Sequence, residues 1–173
     1  MVEAAKHSAI EALRDGRCFE IRALRPEDRD QMIEAFGRAS ARSVHRRFFG
    51  ARRSFTEEEI AYFLNVDFVN HVALVAVMEE SGGPAVVGGG RYIMVRPGQA
   101  EVAFALIDQY QGQGIGTALM RHLVAIAREA GLKELIAEVL PENMPMLKVF
   151  KNSGLPLNTK REAEVVHVTC QLI

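Results

Sequence analysis

The chain has 173 residues, 49% of them apolar and 25% charged, with 21 basic side chains against 22 acidic ones and a formal net charge of −1. That length suits a single domain with its own core, and the balanced charge gives no bulk pull toward nucleic acid or a membrane surface. The apolar runs fall well short of the ~20 residues that span a bilayer, and the N-terminus lacks the apolar core of a signal peptide, so the expected setting is cytoplasmic.

In chain order, residues 3–14 carry Ala4, Ala5, Ile10, Ala12 and Leu13 at spacings that predict a short helix, making 1–17 a helical extension ahead of a domain over 18–173. CFEIRAL alternates apolar and polar residues as a half-buried strand does, and Pro26 stops it. Pro26 then opens a helix whose Glu27, Asp28 and Asp30 favour its positive end and whose Met32, Ile33, Ala35 and Phe36 are expected inward. SARSVHRRFFG reads as a short basic helix with Val44, Phe48 and Phe49 inward. Ser54 and Thr56 offer N-caps to TEEEIAYFLN, where Ile60, Phe63 and Leu64 recur at helical spacing. HVALVAVMEE and AVVGGGRYIMV are joined by SGGP, which predicts a β-hairpin. Gly88 to Gly90 lie within the second strand, where a bulge or close backbone packing accounts for them. A turn at RPGQ leads to AEVAFALI, a third antiparallel strand.

The next bend is rich in glycine (Gly112, Gly114, Gly116) and runs directly into a helix over 114–129 with Ile115, Leu119, Leu123, Ile126 and Ala127 on one face. ELIAEVL follows, and a strand returning through a helix lies parallel to the one it left. PENMPMLKVFKNSG is a last helix, and EVVHVTCQLI a last strand. The order predicts an α/β (α+β) fold, a mixed and mostly antiparallel sheet with helices on both faces. Cys18 and Cys170 both sit in strand-like stretches without a CxxC partner and read as buried apolar side chains. The five histidines have no paired helical spacing, so no metal is expected.

A glycine bend that opens a helix lets backbone N–H groups approach an anion where the helix dipole favours one. QGQGIG has no lysine after its glycines and so is not a P-loop. A dinucleotide fingerprint would need glycine where Thr117 stands, and an acid at the end of the next strand, where only Glu134 or Glu138 is near. The remaining pattern, Gln111, Gly114 and Gly116 as QxxGxG, together with ENMPMLKVFKNSG, in which Asn143 and Gly154 hold the expected places, resembles the GCN5-related N-acetyltransferases (GNAT family). RSVHRRFFG, AEVAFALIDQYQGQGIGTALM and EVLPENMPMLKVFKNSG are most similar to the catalytic domains of bacterial protein lysine acetyltransferases that act on AMP-forming acyl-CoA synthetases. Those enzymes usually carry a fused regulatory domain, and none is expected within these 173 residues.

The resemblance implies an acetyl-CoA-dependent N-acetyltransferase with acetyl-CoA as cosubstrate and no metal. Gln111, Gly112, Gln113, Gly114, Ile115, Gly116 and Thr117 would form the loop on the pyrophosphate. Backbone groups of Phe104, Ala105 and Leu106 would hold the pantetheine arm and the developing oxyanion. Asn143 would bond the pantetheine or the parted strands, or simply cap the last helix. Glu101, before the bend and between apolar neighbours, is the candidate base for an amine that is protonated at neutral pH; a solvent-facing edge carboxylate is the plain structural alternative. Asp108 and Glu142 are competing acids near the loop. Many family members have a tyrosine acid where Phe150 stands, with Tyr110 and Tyr92 read as packing residues. The implied partner is a protein lysine, with no nucleic acid or membrane, and the chain working as a monomer or homodimer; a small-molecule amine acceptor and a noncatalytic acyl-CoA sensor are the alternatives.

Overall fold

The computed structural model describes residues 4–38 and 57–172. Eight strands form one sheet: β1 (Ser8–Ala12), β2 (Cys18–Ala23), β3 (His71–Glu80), β4 (Gly83–Arg96), β5 (Gln99–Leu106), β6 (Glu134–Val139), β7 (Leu157–Glu162) and β8 (Val165–Gln171). Their order across the sheet is β1-β2-β3-β4-β5-β6-β8-β7, and among the described residues the pair β5–β6 alone is parallel. The helices are α1 (Arg29–Arg38), α2 (Glu57–Leu64), α3 (Ile115–Glu129) and α4 (Met144–Lys151). The expected mixed, mostly antiparallel sheet is therefore present.

Neighbouring residues on a strand point to opposite faces, and β4 shows what covers each face. A Cβ built on Gly90 would lie 3.1 Å from Leu123 of α3, whereas the guanidinium of Arg91 donates to the Phe63 carbonyl of α2 at 3.0 Å. So α2 and α3 flank the sheet on opposite sides. Gly88 to Gly90 serve close packing: a Cβ would meet Leu106 at 2.6 Å from Gly88, the Leu74 carbonyl at 2.7 Å from Gly89, and the Phe104 ring at 2.7 Å from Gly90. The bulge does not fall on the glycines, which pair in regular register with Leu74, Val75 and Ala76; it falls just before them at Val87, where the β3–β4 register shifts between Ala76 and Val77. The predicted inner face of α3 is fully buried, from Ile115 to Ala127.

Four expectations need correction. The helix expected over 3–14 is absent from its described part, 4–14: a single 3-10 turn, Ala4–Lys6, leads into β1, which pairs antiparallel with β2 as the edge of the same sheet. Long-range bonds override local helix propensity here. The Nε2 atom of His122 on α3 lies 2.6 Å from Glu11 Oε2, its Nδ1 atom lies 2.7 Å from His7 Nε2, and Arg121 holds the other oxygen of Glu11 at 2.7 Å. Second, Ile33 is not inward but 37% exposed, because the α1 residue that meets the sheet is Gln31, whose side-chain oxygen accepts the Val86 N–H at 2.9 Å. Two residues on, Ile33 has turned about 200° away. Third, Cys18 at the start of edge-proximal β2 is exposed, whereas Cys170 is buried as expected. Fourth, the C-terminal strand is the second arm of a hairpin whose first arm, β7, was not anticipated; Ala163 makes the turn at φ +51°. The basic helix proposed for SARSVHRRFFG and the caps Ser54 and Thr56 lie outside the described residues, as do the side chains of Ala35, Phe36 and Asp108.

The Glu11–His122–His7 chain makes the attachment of β1 sensitive to acid. Burial, with the adjacent His122 adding to it, holds His7 below its ordinary value of 6.5. The hydrogen bond from His122, reinforced by Arg121, holds Glu11 below 4.5. A depressed histidine binds its proton more readily when unfolded, so the stability it confers is present above pH 6.5 and is lost as pH falls through that value; the glutamate contribution is lost lower, below about pH 4.5. Amide exchange across Ser8–Ala12 is expected to speed up relative to β3 between pH 7.5 and 5.5, and His7→Gln is expected to flatten that dependence. Equal protection at both pH values in the unaltered chain would contradict the assignment.

Candidate acyl-transfer site

The parallel strands β5 and β6 share only three rungs, Gln99 with Glu134, Ala100 with Leu135 and Glu101 with Ile136. Beyond Glu101 they part: β5 stays on β4 as far as Leu106, while β6 stays on β8. Val102, Ala103 and Phe104 line one side of the gap and Ala137, Glu138 and Val139 the other, with Phe150 closing it from α4. Strand alternation fixes which backbone groups look into the gap. Ile107 N–H donates to the Val87 carbonyl of β4 at 2.9 Å, so Ala105 two residues earlier also turns its amide to β4. Phe104 and Leu106 therefore face the gap, and the Leu106 carbonyl accepts a hydrogen bond there from the Gln111 amide at 3.3 Å. Of the three backbone donors expected, Phe104 and Leu106 have the required direction and Ala105 does not.

At the mouth of the gap lies a cleft of about 570 Å³, lined by the end of β5, the glycine bend, the first turn of α3 and one side of α4. Gly112 has φ +79° and Gly114 φ +102°, a region that L side chains rarely adopt, and neither would bring a Cβ within 4 Å of another group. Their backbone conformation is what requires glycine. Gly116 differs: its φ is ordinary and its Cβ would lie 3.1 Å from Val149, so it is small to let α4 approach α3. Gly114 caps α3 with no side-chain bond, and the first intrahelical bond runs from Ala118 N–H to the Gly114 carbonyl at 3.0 Å. The amides of Ile115, Gly116 and Thr117 thus precede the helix ladder at its positive end.

Phe104, Ala105, Leu106, Gln111, Gly112, Gly114, Gly116, Thr117 and Asn143 all line this one cleft. Gln113 and Ile115 do not: the Gln113 side chain donates to the Gln109 carbonyl at 3.3 Å, and Ile115 is buried in the core. Asn143 is buried and accepts the Met146 N–H at 3.2 Å, the N-cap bond of α4. Glu101, half-buried, sits on the last shared rung of β5 and β6. Its side chain is on the α2 face, since Glu101 pairs with Ile93 and Arg91 lies two residues from Ile93 on β4. Arg91 is buried, its Nη1 atom 2.7 Å from His71 Nε2, and burial lowers its guanidinium to about 10, so it remains a cation. Phe150 packs edge-on against Phe104 at 6.1 Å. Tyr110 donates to Glu80 at 2.8 Å, and burial raises Tyr92 to about 12; both are packing residues, as expected.

Sequence reasoning missed Arg14, Lys148 and Lys151, which also line the cleft. The spacing of the two lysines on α4 was a readable signal. Arg14 gave none, because its place depends on the bond from its N–H to the Gln113 carbonyl at 3.2 Å. The open amides, the bend and the cations suit a long anionic ligand, and among the described residues no Asp or Glu lines the cleft.

A sheet parted beside a glycine bend, with such a cleft at its mouth, has the architecture of an acyl-transfer enzyme that takes a phosphorylated thioester. The chain belongs to the acetyltransferase (GNAT) family, whose model matches residues 32–155, and is an acetyl-CoA-dependent acetyltransferase of that type. It is 35% identical to an acetyltransferase of Pseudomonas aeruginosa over 127 residues, 73% of this chain and 68% of that one. It is 34% identical to the acetyltransferase Pat of Mycolicibacterium smegmatis over 82% of this chain and 42% of Pat, so it spans less than half of that relative. The crystal structure of the GNAT domain of S. lividans PAT superposes with a TM-score of 0.84 at 32% identity, covering 95% of this chain and 96% of that one. These likenesses place the chain close to Pat of Mycolicibacterium smegmatis and PAT of S. lividans.

Proposed function

We propose that this chain acetylates the side-chain amine of a protein lysine, with acyl-CoA synthetases as the target class and Glu101 as the general base. The observation that carries the reading is the position of Glu101 on the last rung before β5 and β6 part, about 10 Å back along the strand from Phe104. A base there stands at the inner end of the gap, on the face opposite α3.

Acetyl-CoA supplies an activated acetyl thioester. The bend at Gly112 and Gly114 and the open amides of α3 hold its pyrophosphate. Backbone groups of Phe104 and Leu106 bind the arm that leads inward and offer a donor to the carbonyl that takes up charge. Glu101 accepts the proton that the lysine ammonium must lose before its nitrogen can attack, since that ammonium titrates near 10.4. Attack is direct, without an acyl-enzyme: Cys18 is exposed on β2, and burial pushes the Cys170 thiol up to about 11, away from the thiolate form. With Phe150 in place of a tyrosine, the departing thiolate leaves without a phenolic acid. A thiol titrating near 8.5 is a fair leaving group unaided.

The acceptor is tested by incubating the chain with isotope-labelled acetyl-CoA and bacterial lysate and mapping the label by mass spectrometry. Labelled lysines are expected on proteins, acyl-CoA synthetases among them. Label confined to small amines would overturn the protein-lysine reading.

A further inference from the structure

The cleft carries three cations that the acyl-transfer chemistry does not use. Arg14, Lys148 and Lys151 line it, and among the described residues none of the three side chains has a hydrogen-bond or ion-pair partner. Other cations nearby are engaged: Arg17 is held by Asp15 at 2.9 Å and Arg121 by Glu11 at 2.7 Å. Unpaired cations gathered on one cleft, with no acid among the described residues of its lining, mark a site for an anion.

Arg14 is firmly held there. It stands in the turn between β1 and β2, a segment that the family model does not cover. Leu13 before it is buried in the core and its N–H bonds the Arg17 carbonyl at 2.7 Å. The turn is fastened to the glycine bend twice, by Arg14 N–H to the Gln113 carbonyl at 3.2 Å and by Arg17 Nη2 to the Gln113 side-chain oxygen at 3.4 Å. The exposed guanidinium of Arg14 thus enters the cleft from the bend, and the lysines enter it from α4.

We infer that Arg14, with Lys148 and Lys151, binds the phosphomonoester of coenzyme A, so that the β1–β2 turn lets the enzyme distinguish coenzyme A from its dephospho form. This rests on reading the cleft as the acetyl-CoA site. The neutral amides of the bend and of the first turn of α3 already make one anion site, suited to the pyrophosphate. The cations lie around it, and the anion left on the cofactor is the monoester, which carries a charge of about −1.5 to −2 at pH 7 and three acceptor oxygens that match a guanidinium fork.

The test is calorimetric titration of the chain and of Arg14→Gln with coenzyme A and with dephospho-coenzyme A. The unaltered chain is expected to prefer coenzyme A. Arg14→Gln is expected to weaken coenzyme A about tenfold while leaving the dephospho form within about twofold, on the scale of one lost charge-assisted bond. The double variant Lys148→Gln/Lys151→Gln should weaken the same ligand selectively. An unchanged thermal midpoint of Arg14→Gln shows that the turn has kept its fold. Equal affinity of the unaltered chain for both ligands, or equal weakening of both by Arg14→Gln, overturns the assignment and leaves the cleft reading standing. Failure of the unaltered chain to bind either ligand overturns the cleft reading and this inference with it.

Discussion

Glu101→Gln is expected to lower kcat for lysine acetylation by about 10²–10³-fold at pH 7.5, within the usual range for removal of a general base. The KM for acetyl-CoA should stay within about twofold, because Glu101 is not among the residues that line the cleft beside the glycine bend. Glutamine keeps the shape and the hydrogen-bonding capacity of a half-buried side chain on a sheet rung, so the fold should survive. The diagnostic is the pH profile. Without its base the variant depends on the small fraction of amine that is already neutral, which grows about tenfold per pH unit below 10.4. The gap between unaltered enzyme and variant should therefore narrow as pH rises from 7.5 to 9.5. A variant with unchanged kcat at pH 7.5 would remove Glu101 from the chemistry. Coenzyme A binding without acetylation of any acceptor by the unaltered chain would favour the sensor reading instead.

What the sequence made legible is what local chemistry decides. The β3–β4 hairpin follows from two apolar runs around SGGP, and α3 from five apolar residues at helical spacing that all end up buried. The parallel return to β6 follows from the crossover rule. β1 was hidden because its pattern runs backwards: Ile10 is 69% exposed while Glu11 turns inward to His122 and Arg121. Nothing near Glu11 in the chain announces partners on α3, and without them Ala, Glu and Leu read as helix formers. β7 was hidden for another reason. It is an edge strand with nearly every side chain exposed, so LNTKRE has no buried face to impose an alternation, and its charges are those expected of a protected edge. In the site, spacing identified the glycines but not their separate duties. Whether a glycine is needed for its φ or for a neighbour's approach depends on α4, which packs on the bend from residues some thirty positions later.

That separation gives the second large effect. Gly114→Ala is expected to raise the KM for acetyl-CoA about ten- to thirtyfold, because at φ +102° an L residue carries roughly 1–3 kcal/mol of strain. The strain is relieved by rotating the peptide planes on either side of residue 114, and these carry amides at the mouth of the cleft and the carbonyl that starts the α3 ladder. A compensating mutation has nothing to act on, since a Cβ at Gly114 meets no group within 4 Å. At Gly116 the obstacle is a single methyl group of Val149 at 3.1 Å. Gly116→Ala should therefore cost less, and adding Val149→Ala should restore acetyl-CoA KM in that variant while doing nothing for Gly114→Ala. Measured KM values for the four variants separate the two causes. Rescue of Gly114→Ala by Val149→Ala would show instead that crowding, not backbone conformation, requires glycine at 114.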